Sequence, residues 1–278
     1  ISTTYPWATE LCDGFDNDCD SIVDEKPDGS ICTICERIDL NVTQNECAAL
    51  WAVFTWTNGS GWTNSTNWLT SADVESWYGV TLTGSAAIKH VVNVALPNNN
   101  IQGALPTQIS NLSWLQWLIV NNNAITSLGT WITSLSGLQT LQANNNQLSS
   151  LPTTIGNLSA LRELYLNNNT ITTLPTSIGT LAALDIWQME NNGLTSLPTT
   201  VDGLDELDIL YLGNNALTTF PSQIWSMSDL NVLKVNNNGL TALPATLWSL
   251  TQLDLLDLSH NQLSTIPSNV LQNLASLD

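Results

Sequence analysis

Residues 161–178 read LRELYLNNNTITTLPTSI, and the same pattern of apolar residues and asparagine returns about every 23 residues along most of the chain. Each unit has the form L-x-x-L-x-L-x-x-N-x-L, usually followed by x-x-L-P-x-x-I-x-x-L. The units begin at Val91, Leu115, Leu138, Leu161, Leu184, Leu207, Leu230 and Leu253, and the first step alone is 24 residues. A fixed period of this length indicates stacked structural repeats.

Each conserved position within a unit has a physical explanation. The L-x-L core alternates with a period of two, so it predicts a short strand with one buried face. The asparagine at the ninth position, Asn169 in the quoted unit, falls where the chain turns inward, and its carboxamide can satisfy backbone groups of neighbouring coils. The Leu-Pro step stops helix propagation and favours short 3₁₀ or extended segments. Because one coil cannot bury its own leucines, the coils must stack.

These units cover residues 88–278 and resemble leucine-rich repeats of the 23-residue bacterial and receptor-type class. The resemblance implies an α/β solenoid, a leucine-rich repeat horseshoe with a concave parallel β-sheet and short 3₁₀ or extended convex segments. Residues 277–278 begin a ninth unit, and no cap follows Leu253 in the sequence. We therefore expect that the natural chain continues or that a partner covers the last coil.

Residues 37–87 are predicted to form a tryptophan-rich cap over the first coil. Residues 47–54, CAALWAVF, have the apolar spacing of an amphipathic helix, and Trp56, Trp62, Trp68 and Trp77 follow among small polar residues. The stretch from residue 61 to 81 resembles the N-terminal cap of plant-type repeat proteins, although it lacks the cysteine pair common in that cap. Tryptophan packing is therefore expected to seal this end, in preference to forming a carbohydrate platform.

Residues 1–36 form an acidic module with a predicted calcium site. The predicted ligands are Asp16, Asp18, Asp20, Ile22 (through its carbonyl), Asp24 and Glu25. The first five have the order in which calcium loops supply their oxygen ligands. The run from Cys12 to Glu25 resembles a metal-binding motif of secreted bacterial surface proteins and thrombospondin type 3 calcium repeats. Pro27 occupies position 12, so the expected affinity is about 10⁻⁴–10⁻³ M, and a solvated acidic linker is the alternative.

All five cysteines lie in the first 47 residues, which favours an extracellular, disulfide-stapled segment. We assign Cys12, Cys19, Cys35 and Cys47 to disulfides, and the pairing among Cys32, Cys35 and Cys47 stays open. A zinc-thiolate site is the alternative, because Cys32 and Cys35 have the spacing of a zinc knuckle.

Charge and motif content exclude several functions. The chain has 278 residues and a formal charge of −19, with only five Lys and Arg, so it cannot neutralise a nucleic-acid backbone. No apolar run reaches the roughly 18–20 residues of a membrane span. His90 and His260 lie in different units without a nucleophile or metalloprotease motif, and Asp254 and Asp257 lack a complementary carboxylate. We therefore predict that the chain is not an enzyme.

The third and fifth positions of each unit are predicted to face solvent on the concave sheet. The predicted partner-binding residues there are Trp117, Ile119, Gln142, Glu163, Tyr165, Gln188, Ile209, Tyr211 and Lys234. Exposed aromatic and aliphatic side chains favour an interaction surface, although the row Ile186, Ile209, Val232 and Leu255 could instead be a purely stabilising stripe.

The sequence is compatible with three functions. The first is a cell-surface binding or adhesion module, bacterial by its front motif, that recognises a protein or glycan. The second is a structural subunit or spacer of an extracellular polymer, joined by self-association. The third and least favoured is ice binding, suggested by asparagine rows at positions seven and eight, such as Asn144-Asn145.

Overall fold

The computed structural model describes residues 35, 41–71, 73–84, 89–243, 247 and 249–265. Within them, a helical cap precedes a solenoid of stacked coils, each with a strand on one side and a 3₁₀ or extended segment on the other. No helix in this part of the chain is both long and apolar enough to cross a membrane.

Each coil contributes one short strand to a nine-stranded sheet, counted over the described residues. The repeat strands are β2 (His90–Ala95), β4 (Trp117–Ile119), β6 (Thr140–Gln142), β7 (Glu163–Tyr165), β8 (Ile186–Gln188), β9 (Ile209–Tyr211), β10 (Val232–Lys234) and β11 (Leu255–Asp257). They pair in parallel and in register, so that Leu141 lies opposite Leu164. The predicted solenoid with a parallel sheet is confirmed.

Two features of the sheets go beyond the prediction. At the cap end, β1 (Val80–Thr83) pairs antiparallel with β2, because the few residues between these strands are too short for a parallel crossover. A second sheet joins β3 (Gln102–Ala104) to β5 (Ala124–Ser127) in parallel, after the first two repeat strands.

Stacking buries the leucines of successive coils in one continuous core. In the fourth unit, Leu164 and Leu166 are fully buried, whereas Glu163 and Tyr165 are only half-buried. Burial of each such leucine contributes about 1.5–3 kcal/mol. The predicted inward and outward faces of the strand are confirmed.

The asparagine at position nine connects two neighbouring coils. The Nδ2 of Asn146 donates to the carbonyl of Val120 in the preceding coil (3.0 Å) and to that of Ala143 in its own coil (3.1 Å). Its Oδ1 accepts from the backbone N–H of Ile125 (2.9 Å). Asn169 repeats the arrangement one coil later. The predicted inward carboxamide ladder is therefore present.

Position eight has a separate backbone role that the sequence analysis did not identify. Its residues have φ of 53–57° in all eight coils: Asn98, Asn122, Asn145, Asn168, Asn191, Asn214, Asn237 and His260. Asparagine tolerates this left-handed conformation better than other residues with a Cβ. The row of asparagines at position eight is therefore explained by turn geometry, and His260 is exposed there.

The convex side consists of short 3₁₀ segments, as the Leu-Pro steps predict. These segments are Thr107–Asn111, Thr130–Ser134, Ile155–Asn157, Thr176–Thr180, Thr199–Gly203 and Ser222–Ser226. Proline is the residue before the segment in four of them, for example Pro175. Neighbouring segments approach closely, since a Cβ at Gly179 would overlap the carbonyl of Thr200.

The cap is built on α1 (Gln44–Trp56) and a cluster of aromatic rings. The ring of Trp68 contacts Trp62 and Trp77 with centroid distances of 4.9 and 5.1 Å, and all three are buried. Their indole N–H groups donate to backbone carbonyls. Tryptophan packing does seal this end, but Trp56 is 64% exposed because it is the last residue of α1 and faces away from the core.

A disulfide joins Cys35 to Cys47 of α1, with Cα atoms 5.3 Å apart. The expectation of disulfide bonding near the front of the chain is confirmed for this pair. Cys12, Cys19 and Cys32 lie outside the described residues, as do the predicted metal ligands of the front module.

Candidate functional site

The concave sheet face carries all nine predicted partner-binding residues. The middle residue of strands β4 and β6–β10 is buried, which places the residues on either side of it, at positions three and five, on the opposite face. Parallel, in-register pairing aligns these positions into two rows across the coils. The stacking therefore brings together residues separated by more than one hundred positions in the sequence.

Apolar and aromatic side chains on this face keep contact with solvent. Trp117 is 37% exposed and Leu255 is 39% exposed, while Tyr165, Ile209 and Tyr211 are half-buried. Thr140 differs from the prediction for position three, because it is 6% exposed and its hydroxyl donates to Glu163 (3.1 Å). Contact with the neighbouring side chain removes this threonine from solvent.

A polar network crosses β6, β7 and β8. Glu163 accepts the Thr140 bond and also interacts with the hydroxyl of Tyr165. The pKa of Tyr165 is raised above its usual value, first by burial of the hydroxyl, then by the negative charge and hydrogen bond of Glu163, and last by the charge of Asp185. Tyr165 is therefore a neutral hydrogen-bonding group at any physiological pH.

A second polar cluster surrounds Lys234 on β10. Its Nζ lies 4.5 Å from the centroid of the Tyr211 ring, which is a cation–π contact between neighbouring coils. Burial raises the pKa of Glu190; the charge of Lys234 opposes that rise and the charge of Asp257 adds to it. The pKa of Asp257 is lowered, mainly because its carboxylate accepts from the Ser259 hydroxyl (2.6 Å). Lys234 is therefore held in place among two acids and a tyrosine.

The sequence analysis missed a contact that ties the cap to the first coils. The ring of His90 stacks on Trp114 with centroids 4.7 Å apart, and its Nδ1 lies 3.3 Å from Oε2 of buried Glu46. Glu46 also accepts from the backbone N–H of Val91 (3.0 Å). His90 and Trp114 are 24 residues apart, the length of the first repeat, and this spacing could have identified the stack.

In the part of the chain that the structure describes, no group of three or more His, Cys, Asp or Glu side chains could hold a metal ion. Asp16, Asp18, Asp20, Ile22, Asp24 and Glu25 all precede that part, so the structure does not test the metal site.

Comparison with known families matches both portions of the chain. Models described as leucine-rich repeats match residues 136–182 (two copies) and 228–278. A model described as a "Putative metal-binding motif" matches residues 2–25. No curated protein sequence matches the chain.

Among solved structures, a plant ice-binding protein is similar, with 24% identity and a TM-score of 0.74 over 85% of this chain and 77% of that one. The Arabidopsis receptor kinase HAESA, in complex with the peptide hormone IDA and the co-receptor SERK1, shows 26% identity and a TM-score of 0.70. That likeness covers 84% of this chain but only 40% of the HAESA chain. At 24% identity, the ice-binding protein demonstrates a shared fold only.

Proposed function

We propose, on the premise that this chain is a leucine-rich repeat protein with a metal-binding motif at its front, that it is an extracellular binding or adhesion module for a protein partner. The observation that carries the proposal is the solvent contact of Trp117, Tyr165, Ile209 and Tyr211 on the concave face. Tryptophan and tyrosine are the residue types that anchor protein interfaces. The likeness to a receptor ectodomain in complex with a peptide hormone supports a protein in preference to a glycan.

Binding without catalysis is part of the same proposal. His90 packs between Glu46 and Trp114 in a contact that joins the cap to the repeats, and His260 holds the turn position of the eighth coil. Both histidines thus have structural explanations that involve no substrate.

The alternatives are tested by the physical state of the purified chain. A polymer subunit should self-associate in size-exclusion chromatography as its concentration rises, whereas a binding module need not. Ice binding would produce thermal hysteresis. We favour it less because the asparagine row at position eight is explained by left-handed turns.

The proposal predicts that substitutions at two adjacent residues affect different properties, one the binding of a partner and the other the stability of the fold. Tyr211→Ala should weaken capture of a protein partner by about 1–2 kcal/mol or more, because it removes a half-buried aromatic ring from the binding face. Leu212→Ala should instead reduce the free energy of unfolding by about 2–5 kcal/mol, because Leu212 is fully buried. The measurements are quantitative pull-down from extracellular extracts and urea unfolding.

Two outcomes of these measurements would contradict the proposed binding surface. If Tyr211→Ala and Trp117→Ala capture the same proteins as the parent in the same amounts, the concave face is not the binding surface. If Tyr211→Ala unfolds as easily as Leu212→Ala, the tyrosine contributes to the fold rather than to recognition.

We further propose that the metal bound by the front motif is calcium. The donor set of Asp16, Asp18, Asp20, Asp24 and Glu25 consists of carboxylate oxygens, with the carbonyl of Ile22. Hard oxygen ligands suit calcium, whereas copper prefers imidazole and sulfur. No histidine precedes His90, and we assign the sulfurs of Cys12 and Cys19 to disulfides. Calcium would also offset the repulsion of carboxylates crowded within a few residues.

Calcium titration of the full chain tests this assignment. We expect heat release with a Kd of about 10⁻⁴–10⁻³ M and slower protease cleavage of residues 1–36. Asp18→Ala should abolish both effects, while Asp73→Ala, which lies in the cap, should retain them. Copper binding without a calcium response would reassign the metal, and no response to either would indicate an acidic linker.

A further inference from the structure

The C-terminal half of the concave face carries an open apolar strip, defined as Ile186, Ile209, Val232 and Leu255. These residues occupy position three of β8–β11 and lie opposite one another in consecutive parallel pairs. The first three are half-buried, and Leu255 is 39% exposed. A row of four aliphatic side chains on a sheet face that the described residues leave partly open to solvent is the kind of surface that a partner buries.

Acidic residues border this strip along the edge where the strands begin. The acidic flank is defined as Asp185, Asp208 and Asp254, which directly precede three members of the strip. Its backbone forms a ladder, since the N–H of Asp208 donates to the carbonyl of Asp185 (2.9 Å) and Asn231 continues the ladder to Asp254. Neighbouring backbones on such a ladder are about 4.7–4.9 Å apart, so Asp185 and Asp208 extend from adjacent coils.

These carboxylates influence the concave face itself. Asp185 raises the pKa of Tyr165 on the neighbouring strand, so its negative charge is felt on that face. On the other side of the strip, Glu190 and Asp257 flank Lys234, and the pKa of Glu190 is raised. Negative charge therefore lies on both sides of the strip. On the second side, Lys234 lies between the two acids.

The charge is concentrated in this half of the solenoid. Residues 184–265 contain nine acidic residues and one basic residue, Lys234. Residues 89–183 contain one acidic residue, Glu163, and two basic residues. The two halves of the solenoid therefore differ in net charge, and the C-terminal half is the one that suits a cationic partner.

We propose that the apolar strip with its acidic flank binds an extended, cationic polypeptide segment whose apolar side chains cover the strip. The inference rests on the proposed function and specifies the chemistry of the partner and the coils that it contacts. A linear segment fits better than a small cation, because the carboxylates lie on three of four consecutive coils rather than directed at one point. Lysine or arginine side chains would pair with the flank while the aliphatic rows pack together.

Synthetic peptides on the full chain test the proposal. The probes are a peptide of alternating lysine and valine, one of alternating lysine and serine, and one of alternating glutamate and valine, all of equal length. Calorimetry should rank the lysine–valine peptide first, with no binding of the glutamate peptide. Asp208→Asn keeps the acceptor for Asn231 and should weaken binding of the lysine–valine peptide about fivefold. Asp202→Asn, on the convex side of the preceding coil, should change that binding less than about twofold.

A zero-length carbodiimide cross-linker locates the bound peptide. We expect links from its lysines to Asp185, Asp208 or Asp254, found by mass spectrometry. Links confined to carboxylates before residue 40, equal weakening by Asp202→Asn, or equal binding of the glutamate peptide would each overturn the proposal. If a captured natural partner depends on Tyr211 but not on Asp208, the cationic-partner inference fails while the proposed function stands; if it depends on neither, the proposed function fails as well.

Discussion

The asparagines at positions eight and nine of a coil have different structural roles. At position nine, the carboxamide of Asn146 bonds to four backbone groups in two coils, and the inward turn of the repeat predicts this role. At position eight, Asn145 has φ of 55°, a left-handed backbone conformation that asparagine tolerates. Both residues are asparagine, so composition alone does not distinguish them. The backbone conformation does.

Removal of a position-nine carboxamide should destabilise the solenoid. Asn146→Ala leaves the N–H of Ile125 without its acceptor and removes one of the two donors to the carbonyl of Val120, which keeps the bond from Asn123. A buried group left unpaired costs about 1–3 kcal/mol. Chemical unfolding should therefore show a loss of that order. Gln147→Ala, at the exposed neighbouring residue, should stay within about 0.5 kcal/mol of the parent. Equal stability of the two variants would contradict the role of the ladder.

Glu190 provides a pH-dependent test of the concave face. Its pKa is raised chiefly by burial, so the ionised form is less favourable in the folded protein than in the unfolded chain. The stability associated with the neutral form is present below the ordinary value of 4.5 and is lost as pH rises through the higher folded value.

We therefore expect Glu190→Gln to unfold at a higher urea concentration than the parent at neutral pH. The difference should vanish well below pH 4.5, where the parent is also neutral at this position. Urea titrations at the two pH values measure it. A variant that is less stable than the parent at neutral pH would show that the attraction to Lys234 outweighs burial.

The elements of this protein are short and depend on their neighbours. Strands β4 and β6–β11 have three residues each, too few to be stable alone, and gain stability from stacking. The cap is the exception, because α1 has its own capping box between Thr43 and Glu46 and its own aromatic cluster. Loss of the cap should therefore expose the first coil and destabilise the repeats that follow.

Trp77→Ala should produce this effect, with a loss of about 3–5 kcal/mol in the free energy of unfolding. Trp77 is 1% exposed and donates to the carbonyl of Ser71 (2.8 Å). Trp56→Ala serves as the control, because that ring is 64% exposed and its removal should change stability by less than about 0.5 kcal/mol. A larger loss for Trp56→Ala would mean that the cap packs differently from the described arrangement.

The whole molecule combines a repeated scaffold with an uneven surface. The fold is shared with an ice-binding protein and with a hormone receptor ectodomain, so the solenoid alone does not identify a function. What distinguishes this chain is the pattern of exposed side chains on the concave face. An aromatic residue, Trp117, lies towards the cap, and the acidic flank borders the strip in the later coils.

Sequence alone determined the solenoid, the two strand faces, the inward asparagine ladder and the nine concave-face residues. These features follow from a local pattern repeated eight times, so each unit independently supports the same structure. The third position of a repeat unit faces out regardless of which residue lies opposite it in the next coil. The alternation of side chains is a property of the strand itself.

Only the tertiary structure decided which residues meet across coils and which tryptophans are buried. The stack of His90 on Trp114, the burial of Thr140 against Glu163 and the exposure of Trp56 depend on contacts between residues distant in sequence. The same holds for the acidic flank, where Asp185 and Asp208 are 23 positions apart in the sequence but adjacent on the backbone ladder. A one-dimensional pattern specifies the direction of each side chain, whereas its surroundings arise only when the coils stack.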